Sequence, residues 1–184
     1  MKQWLPKEQR KKILFLSDDL RIHSGIGVMS REIVEQTCGV FNWVQFGAAI
    51  NHPENGKVVD ISQAVSEEVG VKDPSVIIYP QNGYGNSMLV RQLLEMEKPD
   101  AMLIFTDPRQ WIWLFQIEHE IRQKIPLMYY NIWDGGWGSS PNAMPHYNRN
   151  FYRSCDALFA ISKQTYAINK YVLGPENVYT DKDL

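Results

Sequence analysis

Short apolar runs, separated by polar turns, set the pattern of this chain. Ile13-Leu14-Phe15-Leu16 is the first and predicts a buried strand. Residues 42–49, with Trp43-Val44-Gln45-Phe46 at their heart, predict a second. Residues 57–61, 75–79 (SVIIY), 101–105, 127–132 (opened by Pro126) and 157–161 predict five more. The runs are continuous rather than alternating, as expected of strands covered on both faces.

Between these runs the period lengthens to that of a helix. Val28, Met29, Ile33 and Val34 lie near one face of a segment that follows Gly25 and Gly27. Within residues 87–97, Leu89 pairs with Leu93 and Val90 with Leu94, and Lys98-Pro99-Asp100 ends the helix. Thr106-Asp107-Pro108-Arg109 turns into a helix carrying Trp111, Leu114, Phe115 and Ile121. Residues 146–153 predict a short helix, and Ser162 reads as the N-cap of one running to Val172. Residues 51–56 (NHPENG) read as a surface loop, 62–73 as irregular or weakly helical, and 133–145 as a long glycine-rich loop.

Strands alternating with helices predict an α/β protein: a Rossmann-like, doubly wound, mainly parallel sheet with helices on both faces. Ligands of such sheets bind at the carboxyl ends of the strands, near the point where strand order reverses. The polar loops 18–27, 81–86, 106–109 and 133–140, and Ser162-Lys163, each follow a predicted strand and are expected on one rim.

The first of these loops has the most distinctive chemistry. Strand, polar segment, Gly25-Ile26-Gly27 and helix follow in order. Glycine lets the backbone approach a ligand, and a helix N-terminus offers unpaired N–H groups and partial positive charge. The place suits a phosphate, or serves simply as a tight turn. No third glycine completes a dinucleotide fingerprint, and the second strand ends Phe46-Gly47-Ala48 without an acid, which counts against a nucleotide-dependent oxidoreductase.

Composition narrows the classes. A chain of 184 residues, 44% hydrophobic and 22% charged, suits one packed domain with at most a small appendage. A net charge of -2 gives no reason to expect nucleic-acid binding. Cys38 and Cys155 lie far apart and form no metal-ligand spacing, so reduced thiols are the default. No apolar run approaches the roughly 20 residues of a membrane span, and no signal peptide precedes the first strand. Residues 1–12 hold Lys2, Lys7, Arg10, Lys11 and Lys12 against Glu8. They read as a solvated basic tail, with weak contact to an anionic membrane surface as the alternative. A cytoplasmic protein, at most peripheral to the inner membrane face, is expected.

Three stretches together carry a family resemblance. They are the opening strand with Ser24-Gly25-Ile26-Gly27; Pro99-Asp100-Ala101-Met102-Leu103-Ile104-Phe105 with the later Pro126-Leu127-Met128-Tyr129-Tyr130-Asn131-Ile132-Trp133-Asp134; and Cys155-Asp156-Ala157-Leu158-Phe159-Ala160-Ile161-Ser162-Lys163 leading to Gly174-Pro175-Glu176-Asn177-Val178. In order and spacing the chain resembles the N-terminal domain of a GT-B-fold glycosyltransferase of the group 1, or family 4, type. The resemblance implies one half of a GT-B fold. Residues 13–178 would form the acceptor-side domain, and 179–184 the start of a linker to a donor-binding domain absent from this sequence. It implies a UDP- or GDP-sugar as donor substrate, a hydroxyl acceptor, no permanently bound cofactor, and no metal. It places Gly25, Ile26 and Gly27 by the donor phosphates and favours retention of configuration. Where the family often has a histidine followed by aspartate, this chain has Trp133-Asp134, which leaves Asp134 as the polar group for the acceptor hydroxyl.

The remaining candidates are His23, Asn82, Tyr84, Asp107, Arg109 and Trp137 for acceptor contacts. His23 precedes the glycine turn. Asn82 and Tyr84 offer an amide and an aromatic face, which suit a sugar or a plain turn. Asp107 and Arg109 suit an anionic acceptor, or a helix-start aspartate with a local arginine partner. Trp137, between glycines, suits a sugar platform, whereas Trp111 and Trp113 suit packing. Asp18 and Asp19 suit a sugar contact or, as the leading reading, turn caps, and His52, His119 and His146 have no metal-site spacing. The leading expectation is a glycosyltransferase half, inactive without its donor domain. The alternative is a non-catalytic Rossmann-like module that binds a carbohydrate or nucleotide, alone or with a partner chain.

Overall fold

The computed structural model describes residues 4–49, 51–135 and 144–174. Its strands and helices form an α/β fold with a seven-stranded, mostly parallel sheet, as the alternating pattern predicts. The chain divides into two compact units, residues 1–103 and 104–184.

In the first unit, β1 (Lys11–Asp18) leads to α1 (Gly25–Thr37), β2 (Phe41–Ala49), β3 (Val59–Asp60), α2 (Ser62–Val69), β4 (Val76–Asn82) and α3 (Ser87–Glu97). Then β5 (Ala101–Phe105) crosses the boundary. Parallel registers place Leu14 beside Val44 and Phe46 beside Tyr79. The edge strand β3 is antiparallel to β4. Leu14, Phe15 and Leu16 are all fully buried, so the continuous apolar run of β1 does face cover on both sides. Each such side chain contributes about 1.5–3 kcal/mol on burial.

The helices end where local chemistry stops them. The Ser24 hydroxyl caps α1 by accepting from the Gly27 N–H. Asn86 caps α3 through the N–H groups of Met88 and Leu89, and Lys98 closes it in the left-handed region before Pro99. Residues 62–69, expected to be irregular or weakly helical, form the regular helix α2, which Gly70 ends at φ 71°.

The basic tail is corrected by the structure. Lys11 and Lys12 already belong to β1, paired with Asp100 and Glu97. Arg10 is buried, and its guanidinium donates to the carbonyls of Leu5, Asp73 and Lys72 at 2.8, 2.7 and 3.1 Å. Lys7 pairs with Asp73. The described cations of that run have internal partners, so residues 4–12 are a docked part of the first unit rather than a solvated tail.

In the second unit, a 3-10 turn (Pro108–Trp111) opens α4 (Ile112–Phe115). It is followed by α5 (Glu118–Arg122), β6 (Leu127–Asn131), α6 (Arg149–Arg153), β7 (Ala157–Ala160) and α7 (Lys163–Leu173). β6 and β7 are parallel, with Tyr129 beside Leu158. Trp111, Leu114, Leu127, Tyr129 and Ile168 are fully buried, which settles Trp111 as core. The helix expected after Arg109 is broken into short pieces, with i→i+3 bonds at Ile117 and Glu120. Ser162 caps α7, as read from the sequence. Neither Cys38 nor Cys155 is in a disulfide, and no described helix is long and apolar enough to cross a membrane.

The Arg10 geometry is testable by urea unfolding. Arg10→Ala removes a buried charged side chain and its three part-buried bonds to carbonyls, and is expected to cost about 1.5–3 kcal/mol. Lys7→Ala, which loses only an exposed pair, is expected to cost less than about 1 kcal/mol.

Candidate functional site

The loop that leaves β1 is held from below by a glutamine. Gln45 on β2 donates from Nε2 to Ser17 Oγ (2.7 Å) and the Asp18 carbonyl (2.8 Å), while its Oε1 accepts from the Leu20 N–H (3.1 Å). A fully buried amide with both ends occupied fixes the path of the chain where β1 ends.

The next residue, Asp19, is wholly buried and fully partnered. Oδ1 accepts from the Arg21 N–H (2.8 Å) and Nε (3.0 Å). Oδ2 accepts from another Arg21 nitrogen (2.8 Å) and faces His52 Nε2 (2.9 Å). His52 Nδ1 accepts from the Glu54 N–H (3.1 Å), which leaves Nε2 as the protonated nitrogen that donates to Asp19. Arg21 also reaches the Glu54 carboxylate at 2.6 Å. Burial pushes the Asp19 carboxyl up. The bonds from Arg21, its charge and the His52 bond outweigh that and hold the carboxyl below its ordinary range. A side chain on Gly47 would place its Cβ 2.9 Å from Asp19 Oδ2, so this strand position must stay bare.

Above this base the chain makes the glycine turn. The two glycines have different reasons. A Cβ on Gly27 would lie 2.6 Å from the Ile22 carbonyl and 3.0 Å from that of Asp19, so Gly27 is needed for packing. A Cβ on Gly25 would meet nothing within 4 Å. Gly25 is exposed, and the Gly25 and Ile26 N–H groups open α1 without intrahelical partners. This 13-residue helix therefore presents its positive end to open space.

Beside it, the Asp18 carboxylate accepts from Ser24 Oγ (2.7 Å) and from the Tyr84 hydroxyl (3.2 Å). Tyr84 is placed there by a turn in which Gly83 and Gly85 both take positive φ, 63° and 68°, which other residues adopt only with strain. Asn82, at the end of β4, accepts from the His52 N–H and donates its own N–H to Asn55. Its oxygen is thus occupied in holding the loop after β2. Among the sequence-derived candidates of this unit, Tyr84 and the glycine turn come together through Asp18 and Ser24, whereas His23 is exposed and outside that set.

In the second unit, Asp107 caps the 3-10 turn through the Arg109 N–H (3.0 Å) and also binds the Arg109 guanidinium. Those bonds hold the Asp107 carboxyl down and the guanidinium up. The local-pair reading of these two residues is therefore what the geometry shows. Arg109 also lies over the rings of Trp133 (5.8 Å) and Tyr147 (5.3 Å), which stack on each other at 5.6 Å and 14°. Asp134 is exposed, and its carbonyl accepts from Gln164 Nε2 (3.0 Å). Its carboxylate takes no partner among the described residues. Trp137 lies outside the described residues. Among the described residues no cluster of three or more His, Cys, Asp or Glu is placed to hold a metal ion.

Sequence reasoning missed the Asp19–His52 pair, whose members lie 33 residues apart. It also read Asp18 as a simple cap. The usable signal was the Asp-Asp dipeptide at a strand end, which separates one solvent-facing carboxylate from one buried one. No family model, curated protein or solved structure matches this chain.

The Asp19 network gives a signed pH prediction. Folding lowers the Asp19 pKa, so the pairing stabilises fully above the unfolded value of 3.8 and is lost as pH falls through the lower folded value. Asp19→Asn is expected to cost about 2–4 kcal/mol near neutral pH. In urea titrations repeated across the acid range, its deficit from wild type should shrink below that pH.

Proposed function

We propose that this chain is the acceptor-side half of a nucleotide-sugar-dependent glycosyltransferase, as its resemblance to GT-B N-terminal domains implies. The observation that carries the reading is the open glycine turn after β1. The strand order β3-β4-β2-β1-β5-β6-β7 reverses at β1, since β2 and β4 are added on one side and β5, β6 and β7 on the other. Ligands of doubly wound sheets sit at the carboxyl end of such a strand. There the Gly25 and Ile26 N–H groups and the α1 terminus suit the diphosphate of a UDP- or GDP-sugar. Gly27 takes part by letting the turn close, not by touching the ligand.

In this reading the turn stabilises charge that builds on the leaving diphosphate, through donors already in place. The donor's base and sugar would be held mainly by a second, donor-binding domain. Asp18 and Tyr84 supply carboxylate and hydroxyl groups next to the turn. Asp134, exposed and with no carboxylate partner among the described residues, is the group that would accept a hydrogen bond from an acceptor hydroxyl and take its proton. No resident cofactor or metal enters the reaction.

The test uses Gly25, because any side chain at Gly27 would strike backbone. Gly25→Asp adds a carboxylate to the first turn of α1, where it is expected to leave stability unchanged or raise it by about 0.3–1 kcal/mol. Calorimetric titration with UDP, GDP, UDP-glucose and GDP-mannose should show saturable binding to wild type, weakened at least about tenfold in Gly25→Asp. Binding that ignores Gly25→Asp, or no binding by wild type, contradicts a donor-phosphate site on this turn.

A further inference from the structure

Helix α3 turns an apolar stripe to solvent. Its inner side is buried through Val90, Leu93 and Leu94. Its outer side carries Met88, Arg91, Gln92, Glu95 and Met96, all exposed, at the three- and four-residue spacing that keeps them on one face. Among the described residues, Met96 (65%) and Met88 (62%) are the most exposed large apolar side chains, and Val58 follows at 59%. Single exposed apolar residues are ordinary, but a group of them marks an interaction surface. α1 and α2 turn Arg31, Glu32, Glu67 and Glu68 outward instead. An open groove of about 170 Å³ runs beside α3, where Tyr79, Leu89, Leu93 and Met96 meet Lys57, the neighbour of Val58. A shallower depression of about 460 Å³ lies over the outer face of α3 itself, from Met88 to Met96.

We propose that this face docks on the same face of a second copy of the chain, with the two α3 helices antiparallel about a two-fold axis near Gln92. The order of charges selects that occupant. By helical period Arg91 and Glu95 share one flank of the methionine stripe. A two-fold axis between antiparallel helices keeps that flank on one side and reverses its direction. Each Arg91 then lies beside the partner's Glu95, and each Met88 beside the partner's Met96. A surface that complements itself in this way is what an isologous interface requires. The same order does little for α3 alone, since Arg before Glu is the poorer arrangement within a helix. Glu95 also stands near the carboxyl end, where the helix dipole disfavours it and the last turn holds no basic residue. Arg91 and Glu95 each interact within their own chain already, so across the dimer they set direction and register more than affinity. Affinity comes from the methionines, whose flexible thioethers fill irregular surface such as the groove beside Leu89 and Leu93. One 11-residue helix and its flanking groove make a small interface, so a dissociation constant of about 10–100 µM is expected. The inference stands on the first unit alone and is independent of the glycosyltransferase reading, so either can fail without the other.

The test is sedimentation velocity of the full chain from about 1 to about 500 µM, a range that brackets the expected dissociation constant. The variants are Met96→Lys, Arg91→Glu and the double exchange Arg91→Glu with Glu95→Arg. All three change exposed positions, so in dilute solution each should melt within about 3 °C of wild type. Wild type should pass from monomer to dimer across the range. Met96→Lys and Arg91→Glu should each weaken the dimer at least about tenfold, and the double exchange should restore it to within about threefold of wild type. That rescue is specific to Arg91 meeting Glu95 of the other copy, because the melting temperatures of the dilute monomers control for effects within one chain. A wild type that stays monomeric throughout overturns the proposal and leaves the face to a different partner. A dimer that ignores Met96→Lys, or one that the double exchange does not restore, overturns it as well, because the copies then meet elsewhere or in another register.

Discussion

A carboxylate with no exposure to water, that of Asp19, is the constraint on which the first candidate site depends. Two arms reach it from one arginine, and a histidine from another loop closes the set. Neither charge of such a pair tolerates loss of the other, because a buried ion without its partner is far costlier than a solvated one. The pair therefore ties the loop after β1 to the loop after β2. Gln45 does the same from within the sheet by holding both sides of Asp18. The glycine turn and the Asp18–Ser24–Tyr84 set rest on this base and inherit its rigidity, the condition a preorganised anion site needs.

The side chains around both candidate sites mostly satisfy one another. In the first, nearly every group around the turn has a partner, and what stays open is backbone: the leading N–H groups of α1 and the space over Gly25. In the second, Asp107 and Arg109 satisfy each other, as do Asn131 and Asn169. Backbone donors at a helix start select for negative charge.

Much of the fold was legible in the chain because its strands are short, apolar and bounded by turn residues. Residues 87–97 and 101–105 take the bounds that their period and the Lys98-Pro99 stop imply. The start of β1 was hidden because Lys11 and Lys12 look like tail residues until Asp100 and Glu97, almost ninety positions away, are seen to pair with them. α2 was hidden because its period buries only Val65. Around the site, the open turn was visible as Gly-x-Gly, but the division of labour between Gly25 and Gly27 was not, since it depends on where the Ile22 carbonyl points. His52 was silent for the same reason: its role is set by Asp19, a partner that only the folded chain brings near.

The most direct test of the central claim is an amide-resolved NMR titration of the full chain with UDP. The account predicts that the Gly25 and Ile26 N–H resonances move first and furthest, saturably, with smaller changes along the first turn of α1. Shifts confined to other parts of the chain, or none at all, would contradict a phosphate site at the end of β1 and remove the main support for the glycosyltransferase reading.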